Sequence, residues 1–200
     1  QVLNQMGVVP DCIEKLREKD GILVFRVYSN GKSYVLKYFE GLEYRREVEN
    51  YLLLQKLDVP TIPLVAFTKE AILMEDLRER ERYRLAVPGD VESAQTMKNV
   101  ARWYKTLHQK GREFVAKSGT KMYSELDCLT RGNLRFIGQK TGTAGETVWH
   151  FLDEHCSDLL QKLSEVPKTL TYNDFYYTNL AVSRDGTSAL MFDYNLLGQG

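Results

Sequence analysis

Two side chains near the carboxyl end of the sequence, Asn179 and Asp193, are of types that bind a hard metal ion, and a third, Asp174, is a candidate general base. Asp174 and Asn179 stand five positions apart in a polar loop, and Asp193 follows a short apolar run fourteen positions further on. Carboxylate and amide oxygens suit magnesium, which needs few protein ligands where phosphates and waters complete its octahedron. The alternative is that Asp174 belongs to an ordinary turn and Asp193 ends an ordinary strand, because such residues are common in loops.

A hairpin is predicted to position two of these side chains. Residues 179–183 and 188–193 are mainly apolar, and the segment between them contains Asp185-Gly186, a pair typical of tight turns. Asn179 then starts the first strand and Asp193 ends the second.

A second hairpin is predicted near the amino terminus, with strands at residues 21–28 and 33–39 and an Asn30-Gly31 turn. Lys37 lies inside the second strand among apolar residues. It can have a functional role there, or it can be a solvated residue on the outer face of the sheet.

An amphipathic helix is predicted next, over residues 42–57, and two short strands follow at residues 64–67 and 71–74. The helix carries Glu47, which is a candidate partner for Lys37. Glu49 is the rival, and Glu47 can also be a plain surface carboxylate.

The composition changes after Met74, and we place a boundary between a lobe of residues 1–76 and a lobe of residues 77–200. One helix is predicted to end at Gly111 and another near Pro167. The predicted apolar face of the first helix consists of Ala94, Met97, Ala101, Tyr104 and His108. That of the second consists of Val148, Phe151, Leu152, Leu159 and Leu163. Residues 112–146 show no clear periodicity.

The overall composition indicates a folded protein whose partner is a small molecule. Of the 200 residues, 43% are hydrophobic, and 27 basic residues balance 27 acidic ones. A zero net charge does not favour nucleic acid or an anionic membrane as a partner. Three scattered cysteines without a CxxC pair indicate a reducing compartment, and we expect the cytosol. We see no signal peptide and no membrane-spanning run.

The segment Thr171-Tyr-Asn-Asp-Phe-Tyr-Tyr-Thr-Asn-Leu-Ala-Val182, followed by Leu190-Met-Phe-Asp193, resembles the catalytic loop and metal-binding strand of protein kinases. It is more similar still to the aminoglycoside phosphotransferase family, close to the choline kinases, whose loop usually reads His-Gly-Asp, then Asn, then Ile-Asp-Trp. The resemblance covers roughly residues 20–195, in the correct order.

This resemblance implies an α+β, protein-kinase-like fold, with a small amino-terminal antiparallel β lobe containing one helix and a mainly helical carboxyl-terminal lobe. It also implies a role for each matching residue. Asp174 would be the catalytic base, Asn179 and Asp193 would hold Mg²⁺, and Lys37 and Glu47 would position the phosphates of ATP or GTP, with main-chain groups near Glu75 and Leu77 meeting the base.

The sequence departs from the family pattern at several positions. Tyr172 and Asn173 replace the His-Gly pair, and Tyr194 replaces the tryptophan. No GxGxxG precedes Lys37, so residues 18–21 are the only phosphate-loop candidate. The sequence ends seven residues after Asp193, which indicates either a fragment or an open acceptor site.

The leading hypothesis is a kinase that phosphorylates a hydroxyl of a small molecule. A catalytically inactive nucleotide-binding module of the same fold is the alternative. A protein kinase is disfavoured, because no glycine-rich loop or Ala-Pro-Glu segment is present. The acceptor and the oligomeric state stay open. Tyr172, Tyr176 and Tyr177 can line a pocket for a cationic or sugar-like substrate, or they can simply pack.

Overall fold

A computed structural model describes residues 1–119 and 122–200 of the chain. The chain divides into two compact units. The first consists of Gln1–Lys110 and Tyr172–Leu197, and the second of Gly111–Thr171 and Gly198–Gly200. All the site residues predicted from the sequence belong to the first unit. The predicted boundary between the lobes at residues 76 and 77 stays a prediction.

The first unit contains a five-stranded antiparallel sheet with the strand order β1-β2-β3-β5-β4. Its strands are β1 (Cys12–Lys19), β2 (Ile22–Ser29), β3 (Lys32–Phe39), β4 (Leu64–Thr68) and β5 (Ala71–Glu75). The predicted hairpin and the two short strands are confirmed. Strand β1 was missed because it lies at the edge of the sheet with all eight residues exposed, so its sequence carries no apolar alternation.

Two-residue turns join the first three strands. Asn30 and Gly31 have φ angles of 52° and 70°, and Asp20 and Gly21 have φ angles of 53° and 74°. Two consecutive positive φ angles define the tight hairpin turn that matches the twist of the strands. The predicted Asn-Gly turn is confirmed, and an Asp-Gly turn between β1 and β2 is added to it.

Helices cover both faces of the sheet. The short helix α1 (Val2–Gln5) places Leu3 on one face, in a buried cluster whose other members are Val27, Leu36, Ala71 and Leu73. A 3₁₀ turn leads into α2 (Arg46–Lys56), which buries Val48, Tyr51 and Leu54 and confirms the predicted helix. The hydroxyl of Tyr51 lies 3.7 Å from the sulfur of Met74 on β5, so α2 packs on the other face.

After β5 the described residues form further helices and short strands. The helices are α3 (Ala94–Ser118), α4 (Arg131–Lys140) and α5 (Thr147–Ser164). The strands are β6 (Tyr83–Leu85), β7 (Leu170–Tyr172), β8 (Leu180–Ser183), β9 (Ala189–Met191) and β10 (Leu197–Gln199). Strands β6, β8 and β9 form one antiparallel sheet in that order, and β7 pairs with β10. The predicted α+β class is confirmed, as is the hairpin that precedes Asp193.

Helix α3 corrects the sequence analysis in two respects. It continues past Gly111 to Ser118, so the predicted end at the glycine is wrong. A Cβ atom at Gly111 would lie 2.6 Å from the Cβ of Leu170, so glycine is required there for close packing and not to end the helix. The predicted apolar face is also wrong, because the helix buries Val100, Trp103 and Leu107 instead.

The second unit contains α4 and α5, which pack against each other. Helix α5 confirms the predicted helix that ends before Pro167, although Val148 and Phe151 of its predicted apolar face are about half exposed, at 54% and 53%. Helix α4 lies in the segment 112–146 that no pattern could place, and residues 120 and 121 of that segment lie outside the described residues. No helix in the described ranges is both long and apolar enough to cross a membrane.

We predict that Gly111→Ala destabilises the protein by about 1–3 kcal/mol, because the new methyl group overlaps Leu170 and the helix must shift. The measurement is urea unfolding followed by circular dichroism. Gly89→Ala is the matched control, since a Cβ at Gly89 meets no atom within 4 Å. Equal stability of the two variants would contradict the close approach of α3 and β7.

Candidate functional site

A buried lysine joins two carboxylates from distant parts of the sequence. The Nζ atom of Lys37 lies 2.6 Å from Oε2 of Glu47 and 2.9 Å from Oδ1 of Asp193. Lys37 comes from β3, Glu47 from α2, and Asp193 from the residues just after β9. The side chains of Lys37 and Glu47 are 8% and 1% exposed, and that of Asp193 is 34% exposed. The cluster is therefore closed at the lysine end and partly open at Asp193.

The position of Lys37 in the sheet explains why it meets α2. Lys37 pairs with Val24 on β2 and with Ile72 on β5, so these three side chains share one face of the sheet. Leu36 belongs to the cluster under α1 on the opposite face. The alternative interpretation, that Lys37 is a solvated residue on the outer face of the sheet, is therefore wrong.

The same geometry distinguishes the two candidate carboxylates of α2. Glu47 is buried, whereas Glu49 is exposed. Residues two apart on a helix point in different directions, so only one of the two can face Lys37. The structure pairs Lys37 with Glu47.

Burial and charge act in opposite directions within this cluster. Burial alone would lower the pKa of Lys37, but the charges of Glu47 and Asp193 outweigh it and the pKa is raised. Burial raises the pKa of Glu47 to about 7, against the opposing effect of Lys37, and the charge of Asp193 adds to the rise. Lys37 therefore keeps its positive charge, and Glu47 depends on Lys37 for its negative one.

Asp174 and Asn179 face each other across a short loop after β7. The amide Nδ2 of Asn179 donates to Oδ2 of Asp174 at 2.9 Å and to the main-chain oxygen of Asp174 at 3.1 Å. Asn179 ends a 3₁₀ turn of Tyr177–Asn179, which brings it back over the loop. The spacing of five residues thus produces a direct side-chain contact.

The loop is tied to the segment that follows β9 through the main-chain N–H and oxygen of Phe192, the residue before Asp193. The main-chain N–H of Phe192 donates to the oxygen of Asn179 at 3.0 Å, and the hydroxyl of Tyr172 donates to the oxygen of Phe192 at 2.6 Å. Asp193 itself has a φ of 65°, a left-handed conformation that aspartate tolerates better than most residues. These bonds hold Asp193 close to the Asp174 loop.

The two departures from the family loop have structural roles here. Tyr172 is buried, and its ring packs edge-on against Trp103 with 5.7 Å between centroids. The side chain of Asn173 donates to the oxygen of Leu196 at 3.2 Å. Both residues therefore brace the loop, a role that the sequence did not indicate.

Helix α2 is also fastened to the segment after Asp193. Asn50 is buried and donates to the main-chain oxygen of Tyr194 at 2.7 Å, and Arg46 donates to the side-chain oxygen of Asn195 at 3.0 Å. The rings of Tyr51 and Tyr194 meet edge-on with 4.7 Å between centroids. Sequence reasoning missed these contacts, because they join residues more than 140 positions apart.

An open cavity of about 350 Å³ lies beside the cluster. Its wall includes Lys37, Asp174 and Asp193. The remaining lining residues come from β1, β2, the turn between them and nearby loops: Arg17, Lys19, Asp20, Ile22, Val24, Tyr44, Asn195 and Leu196. An anionic ligand in this cavity would be attracted by Lys37, whereas the carboxylates of Asp174 and Asp193 would need a cation between them and such a ligand.

The other two residues predicted to bind a ligand lie outside the wall of this cavity, at the end of β5. The N–H of Glu75 already donates to the oxygen of Pro63 at 3.2 Å. Leu77 is buried, and its N–H has no partner among the described residues. Leu77 thus has a free main-chain donor, whereas the donor of Glu75 is occupied.

Asp76, between those two residues, fixes the shape of this segment. Its carboxylate accepts bonds from the guanidinium of Arg26 at 2.6 Å, from the hydroxyl of Ser33 at 3.0 Å and from the N–H of Arg78 at 3.0 Å. Burial would raise the pKa of Asp76, but these bonds outweigh it and lower the pKa. The segment after β5 is therefore anchored to β2 and β3.

The oxygen donors at the site are of the kind that Mg²⁺ prefers. Within the described residues, no three His, Cys, Asp or Glu side chains converge as a metal cluster, so a metal here would need ligands beyond the protein. Asn179 has its Nδ2 turned to Asp174, so its Oδ1 is the atom that would bind a metal. The donor set fits magnesium held jointly with phosphate oxygens.

No protein-family model and no curated protein sequence matches this chain. Solved structures do. The chain is similar to choline kinase LicA from Streptococcus pneumoniae, with a TM-score of 0.63, 13% identity and coverage of 98% of this chain and 66% of that one. For ethanolamine kinase from Plasmodium vivax the TM-score is 0.59 and the identity 13%, with coverage of 94% and 56%.

A third similar structure is a thermostable mutant of aminoglycoside phosphotransferase APH(4)-Ia in a ternary complex with AMP-PNP and hygromycin B. Its TM-score is 0.62 and its identity 13%, with coverage of 99% of this chain and 70% of that one. The chain therefore has the protein-kinase-like fold of the choline kinases and aminoglycoside phosphotransferases, and the predicted resemblance is confirmed at the level of fold. It spans 66% and 56% of the choline and ethanolamine kinase chains.

We predict that Glu47→Lys lowers the free energy of unfolding by about 3 kcal/mol, because it replaces a buried carboxylate partner of Lys37 with a second buried positive charge. Glu49→Lys is the matched control on the same helix, and we expect it to change stability by less than about 0.5 kcal/mol, since Glu49 is exposed. The measurement is chemical unfolding at pH 7. Equal, small losses in both variants would contradict the buried pair.

Proposed function

We propose that this chain binds a nucleoside triphosphate together with Mg²⁺ and transfers the γ-phosphoryl group to a hydroxyl of a small molecule. The observation that carries the proposal is the cluster of Lys37, Glu47 and Asp193, with contacts of 2.6 Å and 2.9 Å, beside the hydrogen-bonded pair of Asp174 and Asn179. Charged residues are seldom buried unless they are paired, and here Lys37 and Asp193 of the cluster line an open cavity.

Lys37 would bind phosphate oxygens. Its cationic form is favoured by two carboxylates, and its side chain reaches the cavity wall. Glu47 is a positioning residue that holds the ammonium group in place. A fixed cation at this point stabilises the negative charge on the phosphates without reorganisation. In this proposal residues 1–76 supply the nucleotide lobe, and residues 77–200 supply the loop residues.

Asp193 and Asn179 are the residues that would hold Mg²⁺, through a carboxylate oxygen and an amide oxygen. A bound Mg²⁺ supplies neutralisation of the phosphate charge during transfer. Asp193 suits this role because it is the most exposed member of the cluster. The bonds around Phe192 keep it near Asn179.

Asp174 is the proposed catalytic base. The acceptor hydroxyl oxygen attacks the γ-phosphorus, the new O–P bond forms, and the bond from that phosphorus to the bridging oxygen breaks. The nucleoside diphosphate leaves with that oxygen, and the hydroxyl proton passes to a carboxylate oxygen of Asp174. The bond from Asn179 fixes the orientation of this carboxylate, and Asp174 lines the cavity.

The base of the nucleotide would lie at the segment after β5. The free N–H of Leu77 is the proposed donor, and carbonyl groups near Glu75 supply acceptors, because the N–H of Glu75 is occupied. Asp76 anchors this segment, so the main-chain groups are positioned before a ligand binds. Both ATP and GTP are compatible with this arrangement.

The acceptor is proposed only as a small hydroxyl compound. The similar structures include a choline kinase, an ethanolamine kinase and a phosphotransferase complexed with hygromycin B, so one fold accommodates different acceptors. Tyr176 is 57% exposed beside Tyr177, whereas Tyr172 is buried in packing. Of the three tyrosines, Tyr176 and Tyr177 therefore stay candidates for an acceptor site.

A nucleotide-binding module without catalysis is the second candidate. One observation favours it: Asp193 already accepts a bond from Lys37, which partly neutralises the proposed metal ligand. Transfer of ³²P from labelled ATP to small hydroxyl compounds separates the two candidates. Nucleotide binding without transfer to any acceptor, or to water, would favour the module.

We predict that Asp174→Asn lowers kcat by about 10²–10⁴-fold, because the amide cannot accept the hydroxyl proton. The KM for ATP should change little. The measurement is steady-state kinetics of ADP release with the best acceptor found. Asp185→Asn is the matched control, since Asp185 lies in the exposed turn of the following hairpin. Full turnover by Asp174→Asn would contradict the mechanism.

A further inference from the structure

A row of side chains crosses the amino-terminal sheet on the face that lines the cavity. Arg17 on β1 pairs with Val24 on β2, and Val24 pairs with Lys37 on β3. Directly paired residues of an antiparallel sheet point to the same face, and all three residues line the cavity. Lys19 pairs with Ile22 and lines it as well. Arg17 lies two strands from Lys37, about 10 Å at the backbone.

A β-bulge places these cations on the cavity face. The register of β1 with β2 shifts between Lys15 and Arg17, so Leu16 is the extra residue. Without the shift, Leu16 would pair with Val24, and the cavity face would carry Leu16 and Glu18 instead. A one-residue shift exchanges the two faces of a strand, and bulges are frequent beside functional sites, where they redirect side chains. The bulge therefore replaces a leucine and a glutamate with an arginine and a lysine.

The turn between β1 and β2 is too short to bind phosphates through main-chain N–H groups, so cationic side chains would have to bind them. It consists of Asp20 and Gly21 alone, with both residues in the left-handed conformation of a two-residue hairpin. A loop that wraps phosphates with several main-chain N–H groups needs more residues than this. Asp20 also adds a negative charge to the cavity wall. Residues 18–21 are thus too short to bind a polyphosphate through main-chain groups.

Of the three cations in the cavity wall, Arg17 is the one most available to a ligand. Lys37 forms ion pairs with Glu47 and Asp193, and the Nζ atom of Lys19 lies 3.7 Å from Oδ2 of Asp20. Arg17 has no carboxylate within ion-pair distance among the described residues. A guanidinium is well suited to phosphate, because it presents parallel N–H donors to two oxygens at once.

We propose that Arg17, assisted by Lys19, binds the β- and γ-phosphates of the nucleotide from the β1 side of the cavity, opposite Lys37. These two side chains take the place of a main-chain phosphate loop. The proposal rests on the proposed function, since it assigns further binding residues to the same site. It specifies a ligand that carries several phosphates, because a single phosphate at Lys37 does not reach across two strands.

The test compares the binding of MgATP, magnesium tripolyphosphate and AMP by isothermal titration calorimetry to the wild type, Arg17→Gln and Lys15→Gln. Lys15→Gln makes the same change of charge on the same strand. Lys15 pairs with Phe25 on the opposite face of the sheet and is not part of the cavity wall. Both side chains are exposed, so neither variant should unfold the protein.

We expect Arg17→Gln to weaken the binding of MgATP and of tripolyphosphate by about 10- to 100-fold, the loss of a charge-assisted contact. AMP binding should stay within about twofold of the wild type, and Lys15→Gln should leave all three unchanged. Wild-type affinity of Arg17→Gln for MgATP and tripolyphosphate would overturn the inference. So would an equal loss for AMP, or an equal effect of Lys15→Gln.

The outcome also separates this inference from the proposed function. If Asp193→Ala abolishes MgATP binding and Arg17→Gln does not weaken it, the nucleotide site stands and the inference fails. If Arg17→Gln weakens tripolyphosphate binding in a protein that transfers no phosphate, the inference stands and the phosphotransferase function fails. If the wild type binds neither MgATP nor tripolyphosphate, both are contradicted.

Discussion

The site depends on the burial of one ammonium group, that of Lys37. Moving a charge out of water costs several kcal/mol, which only close partners of opposite charge offset. Glu47 and Asp193 are those partners, at 2.6 Å and 2.9 Å. Because they come from α2 and from the residues after β9, the charge of one lysine requires three distant segments to meet. The fold has to satisfy this constraint before any ligand binds.

The surrounding hydrogen bonds can be understood as support for that meeting point. Asn50 holds the main chain at Tyr194, and the hydroxyl of Tyr172 holds the main chain at Phe192, so the two residues that flank Asp193 are both fixed. Asn179 connects the same strand to Asp174. A shift of any one of these segments would leave a buried polar group without a partner, which is costly. The loop and the cluster are therefore expected to form together.

Much of this arrangement could be predicted from local sequence. The Asn-Gly and Asp-Gly turns fix two hairpins, and these place Lys37 inside one strand and Asp193 at the end of another. The five-residue spacing of Asp174 and Asn179 corresponds to a direct hydrogen bond between their side chains. Glu47 could be proposed from its order in the chain, but only the burial of Glu47 and the exposure of Glu49 distinguish the two.

The rest could not be predicted, because it depends on pairing between distant residues. Strand β1 has no apolar alternation, and its bulge is visible only in the register with β2. Arg17 was therefore missed, and Lys19 was considered only as part of a short phosphate-loop candidate. Gly111 was taken for a helix end because glycine often is one, whereas Leu170, 59 positions away, sets its role. The apolar face of α3 was misassigned because two sets of residues share helical spacing.

The measurement that tests the central claim most directly is calorimetric titration of ATP and GTP, with and without magnesium, into the wild type and Asp193→Ala. The account predicts that the wild type binds at least one of them, that magnesium strengthens this binding, and that the substitution removes the magnesium effect while the protein stays folded. Binding with the same magnesium dependence in both proteins, or no binding to the folded wild type, would contradict the assignment of Lys37, Glu47 and Asp193 to a nucleotide site.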